Sequence, residues 1–151
     1  MKNTYKKLIL NGPFGYLSIK AQLSNNGDII DFKVIEANLK FQETINMDQK
    51  ALFQKKLSSL SQDFFEKIFN LSKDIALNGG QAETEYFWPK FLKYYSIQIF
   101  SEEKYIVNFT FIDISKIKIA ENTLIKNHIN YEKLLESSHV GILVIQKDRF
   151  I

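Results

Sequence analysis

Few side chains of this chain are of a kind that does chemistry, and their spacing assembles no catalytic set. Glu83 and Glu85 are one residue apart in an extended stretch, which places both carboxylates on the same side of a strand. No nucleophile, phosphate-binding loop or metal cluster accompanies them, so a solvated strand is the favoured interpretation. His128 and His139 are interpreted as surface histidines rather than metal ligands. The sequence therefore predicts no enzymatic activity for this segment.

The composition excludes several further classes of protein. The 151 residues include no cysteine, which excludes disulfides, thiolate metal sites and a cysteine nucleophile. The net charge is only +3 and the lysines are scattered, so no nucleic-acid partner is predicted. No stretch approaches the ~20 apolar residues of a membrane span, and the first residues are too polar for a signal peptide. We expect a cytoplasmic segment without direct membrane contact, whose parent protein could be anchored through other segments.

Alternation of apolar and polar residues predicts five strands. Residues 15–23 and 29–37 alternate in this way, and the second stretch places Ile30, Phe32 and Val34 on one side. The Asn-Asn-Gly-Asp sequence between the two stretches tolerates positive φ, as the turn of an antiparallel hairpin requires. Three further strands are predicted at residues 83–88, 91–101 and 104–114.

Between the second and third strands the pattern is helical. Asn38 is placed to cap a short helix, and residues 46–62 are interpreted as short helical turns and loop. An amphipathic helix is predicted over residues 62–78, ended by Gly79. Its apolar stripe contains Phe64, Ile68, Leu71 and Ile75. The order of these elements predicts an α+β fold, in which helices cover one face of a five-stranded antiparallel sheet.

A longer helix is predicted over residues 115–137, because its apolar residues recur in alternating steps of three and four. That spacing is typical of the seam of a coiled coil. The seam residues are Ile117, Ala120, Leu124, Tyr131 and Leu134, with Asn127 among them. Since this seam would be exposed in a monomer, we expect the helix to join two copies as a homodimer.

The last residues, 138–151, repeat the character of the first strand. His139 and the apolar run after it echo the stretch that begins at Phe14, which indicates the start of a second, similar domain. Four segments are therefore predicted. They are a lead-in at 1–11, a first domain at 12–114, a linker helix at 115–137 and the truncated start of a repeat at 138–151.

Taken in order, three motifs resemble the PAS family of sensor domains over about residues 12–151. The segment from Asn38 to Phe41 resembles the Asn-x-x-Phe start of the first PAS helix, and Asn46 stands where the family often has glycine. Asp113-Ile114-Ser115, followed by Lys118, Ala120 and Glu121, resembles the junction from the last PAS strand into a signalling helix. The stretch from 131 to 142 resembles the lead-in to a following PAS repeat.

The resemblance implies a curved sheet whose inner face holds either a ligand pocket or a filled core. It also implies dimerisation and a downstream effector in the same chain, typically a histidine kinase or a cyclic-di-nucleotide enzyme. A pocket would be mostly apolar, and the many phenylalanines favour a filled core. The candidate residues are Phe41, Ile68, Leu71, Ile75, Trp88, Tyr95, Ile97, Phe109 and Phe111, with Ile99 and Val107 on the same face.

No cofactor is expected. Light-sensing flavin domains of this family use a cysteine and haem sensors usually use a histidine on the long helix, and residues 62–78 contain neither. The purified protein is therefore expected to be colourless. A flavin held only by stacking and hydrogen bonds, near Trp88, stays open as an alternative, although core packing is the favoured role of Trp88.

The function predicted on this basis is a sensory module that relays a conformational signal through its C-terminal helix. Asp113 is the residue expected to matter most, because it could cap the helix or bind Lys116 or Lys118 and so set the angle at which the helix leaves the sheet. Two alternatives remain: a ligand-free spacer that mediates dimerisation in a protein with several PAS domains, and a small-ligand carrier.

Overall fold

The computed structural model describes residues 7–137, with the backbone alone for the last two. Residues 7–10 are helical. The first six residues and the predicted repeat at 138–151 lie outside the described residues. The chain divides after Asp113 into two compact units.

The first unit is built on one antiparallel sheet of five strands, as predicted. The strands are β1 (Gly15–Leu23), β2 (Ile29–Ala37), β3 (Gln81–Trp88), β4 (Lys93–Glu103) and β5 (Ile106–Asp113). Their order across the sheet is β2-β1-β5-β4-β3, so the first and last strands of the unit pair at its centre. In that pairing Leu17 lies opposite Phe109.

Four helices connect β2 to β3, and a fifth follows β5. They are α1 (Leu39–Ile45), α2 (Gln49–Leu52), α3 (Leu57–Leu60), α4 (Gln62–Asn78) and α5 (Ser115–Ser137). Asn38, Asp48 and Ser61 cap the first, second and fourth of these, each accepting a hydrogen bond from a backbone N–H in the first turn. The polar stretch interpreted as short helical turns is thus α2 and α3 with their connections.

Two hairpin turns take residues that the sequence assigned to strands. After Trp88 the chain turns through 89–92, where the Phe91 N–H donates to the carbonyl of Trp88 at 3.1 Å. Strand β4 therefore begins two residues later than predicted. Tyr105 has a φ of 71° in the turn before β5, so that strand begins at Ile106 rather than at 104.

Ile30 does not lie on the inner side of β2, contrary to the prediction. Gln22 pairs with Asp31 and Leu23 with Ile29, so Ile30 is an extra residue in a β-bulge. Its side chain is 57% exposed, and Ile29 is buried instead. A bulge reverses the alternation, which is why strict period-two reading of the sequence failed here.

Leu71 is also misplaced by the sequence, because its side chain is 41% exposed. Successive residues of a helix point about 100° apart, so Leu71 lies at one margin of the stripe that buries Ile68 and Ser72. On the other margin Phe65 and Phe69 pack against the core. Ser72 is buried on this stripe, and Leu71 leaves the set of pocket candidates.

The other candidate pocket residues lie in the core. The buried side chains are Phe41, Ile68, Ile75, Trp88, Tyr95, Ile97, Ile99, Val107, Phe109 and Phe111. They come from α1, α4 and the last three strands, which places the core between the helices and one face of the sheet.

The second unit contains α5, the C-terminal helix that the sequence predicts. Its seam residues are exposed: Ile117, Ala120, Leu124, Tyr131 and Leu134. Within the helix, Lys118 pairs with Glu121 at 3.6 Å, and His128 Nε2 lies 3.1 Å from a carboxylate oxygen of Glu132. None of the helices in residues 7–137 combines the length and the apolar composition that crossing a membrane requires.

Candidate functional site

Asn38 joins the lead-in, the sheet and the first helix. Its Oδ1 accepts from the N–H of Phe41 at 2.9 Å, as the capping prediction requires, and also from the N–H of Tyr16 at 2.9 Å. Its Nδ2 donates to the carbonyls of Ile9 and Phe14 at 3.0 and 2.8 Å. Because the side chain is 1% exposed and every amide atom is used, Asn38 fixes the start of β1 to the start of α1.

Aromatic rings occupy the space between α4 and the sheet. Phe64 stacks on Trp88, with ring centroids 5.4 Å apart, and meets Tyr86 edge-on at 5.1 Å. It also contacts Phe111 and Phe109, at 5.9 and 6.2 Å. These distances are those of favourable aromatic pairs, so the rings pack against one another on the inner face of the sheet. The arrangement supports the filled core that the phenylalanine content favours.

Two tyrosines bring hydroxyl groups to the inner face of the sheet. The hydroxyl of Tyr86 donates to Asp63 Oδ2 at 2.8 Å, and burial together with this hydrogen bond raises the pKa of Tyr86 to about 12. Burial also raises the pKa of Tyr95, against the lowering effect of the Thr44 hydroxyl, and the charge of Asp113 adds to the rise. Both tyrosines are therefore neutral at physiological pH. Sequence reasoning identified Tyr95 but missed the bond that ties β3 to α4.

Ser72 is a buried polar residue that the sequence analysis passed over. It is 0% exposed, and its Oγ finds no hydrogen-bond partner within residues 7–137. It lies one helical turn from both Ile68 and Ala76, which belong to the apolar core. The only sequence signal was that a serine stands at the centre of an otherwise apolar stripe.

A small cleft opens beside Trp88, at the edge of the ring cluster. Its volume is about 60 Å³, and it is lined by Ile45, Met47, Leu60, Trp88, Lys90 and Phe91. These residues come from the end of α1 and the residues after it, from the end of α3, and from the end of β3 with the turn that follows it. Trp88 is thus a core residue on one side and a cleft wall on the other, in accord with the packing role that the sequence favoured.

The junction residues lie at the end of β5 and in the first turns of α5. Asp113 forms an ion pair with Lys93 of the neighbouring strand β4, with Nζ and Oδ2 3.6 Å apart. Both side chains are about half exposed, at 43% and 51%. The carbonyl of Ile114 accepts from the N–H of Lys118 at 3.0 Å and so begins the helical hydrogen bonds. Lys93 was absent from the predicted partners of Asp113, because only the pairing of β4 with β5 brings it there.

The two carboxylates considered for catalysis lie at the surface of the sheet. Glu83 and Glu85 are exposed on β3, and Ser96 donates to Glu83 at 3.3 Å. Residues 7–137 contain no group of three or more histidine and acidic side chains that could hold a metal ion. The described residues thus present a packed core, a small cleft and a charged strand-helix junction.

Comparison with known proteins gives structural matches only, since no family model and no curated protein matches the sequence. An RNA-binding light-oxygen-voltage receptor aligns over 86% of this chain and 38% of its own, with a TM-score of 0.51 and 5% identity. The PAS domain of an HTR-like protein from Haloarcula marismortui aligns over 76% and 100%, with a TM-score of 0.47 and 14% identity. A sensory box sensor histidine kinase from Vibrio cholerae aligns over 76% and 90%, also with 0.47 and 14%.

The fold-level assignment follows from these observations taken together. The strands have the order β2-β1-β5-β4-β3 in the sheet, and four helices connect the second strand to the third along the chain. The asparagine cap and the positive φ of 56° at Asn46 meet two local expectations of the family resemblance. The structural match with a TM-score of 0.51 extends over 86% of the chain. This protein has the fold of the PAS domains.

Proposed function

We propose that this chain is a sensory module that passes a conformational change from its sheet to an effector through α5. One observation carries the proposal. Asp113, the last residue of β5, is paired with Lys93, the first residue of β4, directly before the chain enters α5. A movement of β4 therefore acts on the residue that precedes the helix through both the strand pairing and the ion pair.

The packing of the first unit supports coupling between its surface and this junction. Tyr95 lies opposite Asp113 in the pairing of β4 with β5, and its ring meets Phe111 edge-on at 6.3 Å. Closely packed interiors transmit displacements because they contain little free volume. A signal must still bias two arrangements unequally, and a ligand or partner that binds one of them more tightly would do so.

Dimerisation through α5 and an effector in the same chain belong to this proposal. The exposed seam of α5 includes Leu124, 69% exposed, and Leu134, 66% exposed, which would be covered in a two-helix arrangement. The effector would be a histidine kinase or a cyclic-di-nucleotide enzyme. The ring-filled core favours a second candidate function, a ligand-free spacer that holds two chains together without sensing.

A chimera distinguishes the two functions. The chain replaces the sensor domain of a kinase with measurable output, and the variants are Asp113→Ala and Lys93→Met. A half-exposed ion pair contributes about 0.2–1 kcal/mol, so both variants should stay folded. The relay predicts that both shift the basal output or abolish its response, because both break the same pair.

Asp28→Ala, in the exposed turn between β1 and β2, is the matched control and should leave the output unchanged. If Asp113→Ala and Lys93→Met are folded and their output equals that of the wild type, the relay is wrong and the spacer function stands.

A further inference from the structure

The cleft beside Trp88 has the chemistry of a binding site for a small anion with an apolar tail. Its inner walls are Ile45 and Trp88, 7% and 6% exposed, with Met47 beside them. The cleft volume of about 60 Å³ corresponds to about two water molecules, at roughly 30 Å³ each in the liquid. A short hydrocarbon chain would fit these walls and would release water from apolar surface.

Lys90 supplies a positive charge at the outer edge of the same cleft. Its Nζ lies 5.7 Å from the centre of the Phe91 ring, and that ring lies 5.7 Å from the ring of Trp88. The ammonium of this exposed residue thus lies within reach of the apolar walls of the cleft. One ammonium balances the single charge of a carboxylate, whereas a phosphate dianion would need further donors.

We propose that the cleft binds short-chain monocarboxylates, with the carboxylate on Lys90 and the alkyl tail against Trp88, Met47 and Phe91. This inference names a ligand class for the sensory function proposed above and rests on that function for its biological role. Binding itself is a separate property of the first unit and is measured without any effector.

The position of the cleft connects it to the junction. Lys90 and Phe91 belong to the turn that joins β3 to β4, and β4 begins at Lys93, the partner of Asp113. In the same turn Leu92 has a φ of 51°, a left-handed conformation that is unfavourable for leucine, and its side chain is 77% exposed. An occupant of the cleft would contact the turn directly, so it would act on the strand that carries Lys93.

Trp88 makes the test direct, because it is the single tryptophan of the chain and forms a wall of the cleft. Its emission is followed while sodium butyrate is added, with butyramide as the uncharged isostere and sodium chloride as the salt control. We expect a saturable change with butyrate only, and a dissociation constant on the order of 1 mM for so small a ligand.

Lys90→Met removes the charge and keeps the length of the side chain on an exposed turn residue, so the fold should be retained. It should weaken butyrate binding at least tenfold, which is about 1.4 kcal/mol. Lys20→Met is the control, since Lys20 is exposed on β1 and does not line the cleft, and its affinity for butyrate should stay within about twofold of the wild type, a difference below ~0.5 kcal/mol.

Three results would overturn the inference: no saturable change at butyrate concentrations about fiftyfold above the expected constant, equal binding of butyramide, or unchanged affinity in Lys90→Met. Failure here is distinguishable from failure of the relay. If the chain binds butyrate and the Asp113→Ala chimera has the kinase output of the wild type, only the relay proposal is wrong. If the chain does not bind butyrate and Asp113→Ala changes the kinase output of the chimera, only the carboxylate-site proposal is wrong.

Discussion

Replacing Ser72 by alanine should make this protein more stable, which is the opposite of what truncation in a core usually does. The side chain is 0% exposed on the buried face of α4, and its Oγ has no hydrogen-bond partner within the described residues. A hydroxyl at such a position loses its hydrogen bonds to water on folding and gains none. Ser72→Ala removes that hydroxyl and keeps the β-carbon.

The magnitude follows from three contributions. Leaving a buried polar group unsatisfied costs about 1–3 kcal/mol, and the substitution removes this cost. Alanine is also more favourable than serine inside a helix, by about 0.5 kcal/mol. Against these gains stands the loss of van der Waals contacts by one oxygen atom, at about 0.1–0.2 kcal/mol for each neighbouring atom. We therefore expect the free energy of unfolding to rise by about 1–2 kcal/mol.

Urea titration followed by circular dichroism measures the effect, with Ser61→Ala as the matched control. Ser61 caps the same helix, and its Oγ accepts from the N–H of Phe64 at 3.2 Å, so its loss should cost about 0.5–2 kcal/mol. Replacement of serine by alanine is thus expected to raise the free energy of unfolding at position 72 and to lower it at position 61. A loss of more than about 0.5 kcal/mol in Ser72→Ala would refute the reasoning, because it would mean that the hydroxyl has a partner.

Two further predictions concern the sheet and the helix. Phe109→Ala should lower the free energy of unfolding by about 3–5 kcal/mol, because the side chain is 0% exposed. Phe53→Ala, at a site 51% exposed, is the control and should lower it far less. Equal losses of stability in urea titration would contradict the assignment of the inner face. Leu124→Asp should shift the mass measured by light scattering towards that of the monomer. Asn122→Asp lies off the seam and should leave the measured mass unchanged. A wild type that is monomeric at high concentration would rule out dimerisation through α5.

The parts of the fold that the sequence predicts are those governed by local rules. Asn38 caps α1 because its side chain reaches a backbone N–H three residues away, and no distant contact is needed. Asn46 has the left-handed conformation expected of it, with a φ of 56°. The bounds of α4 follow from a serine cap at Ser61 and from Gly79, whose φ is 76°. Such signals lie within a few residues of the element they define.

The errors arise where pairing or packing between distant segments decides the outcome. Ile30 is exposed because of the register of β2 on β1, and that register depends on a bulge with no clear local signal. Lys93 meets Asp113 only because β4 and β5 are neighbours in the sheet. Leu71 was assigned to the core from its spacing alone, yet the direction of the α4 stripe is set by what packs against it. Periodicity fixes which residues share a face, not which of them is at its centre.

The candidate site was predictable as a set of apolar residues but not as a geometry. The phenylalanine content favoured a filled core, and the rings around Phe64 support that interpretation. The cleft beside Trp88 depends on three separate segments, and no spacing in the sequence connects Met47 to Lys90. Likewise, the serine at 72 gives no sign in the sequence that its hydroxyl lacks a partner.

A filled core changes where a signal would enter this domain. If the rings around Phe64 leave no room for an internal ligand, a ligand must bind at the periphery of the domain. The turn between β3 and β4 is one place where a cleft and a charged side chain occur together. The path from there to α5 is short in the chain: the turn leads into Lys93, which is paired with Asp113. A sensor built in this way would respond to changes at a single hairpin. A spacer, in contrast, would tolerate Lys90→Met and Lys93→Met without any change in the output of its effector.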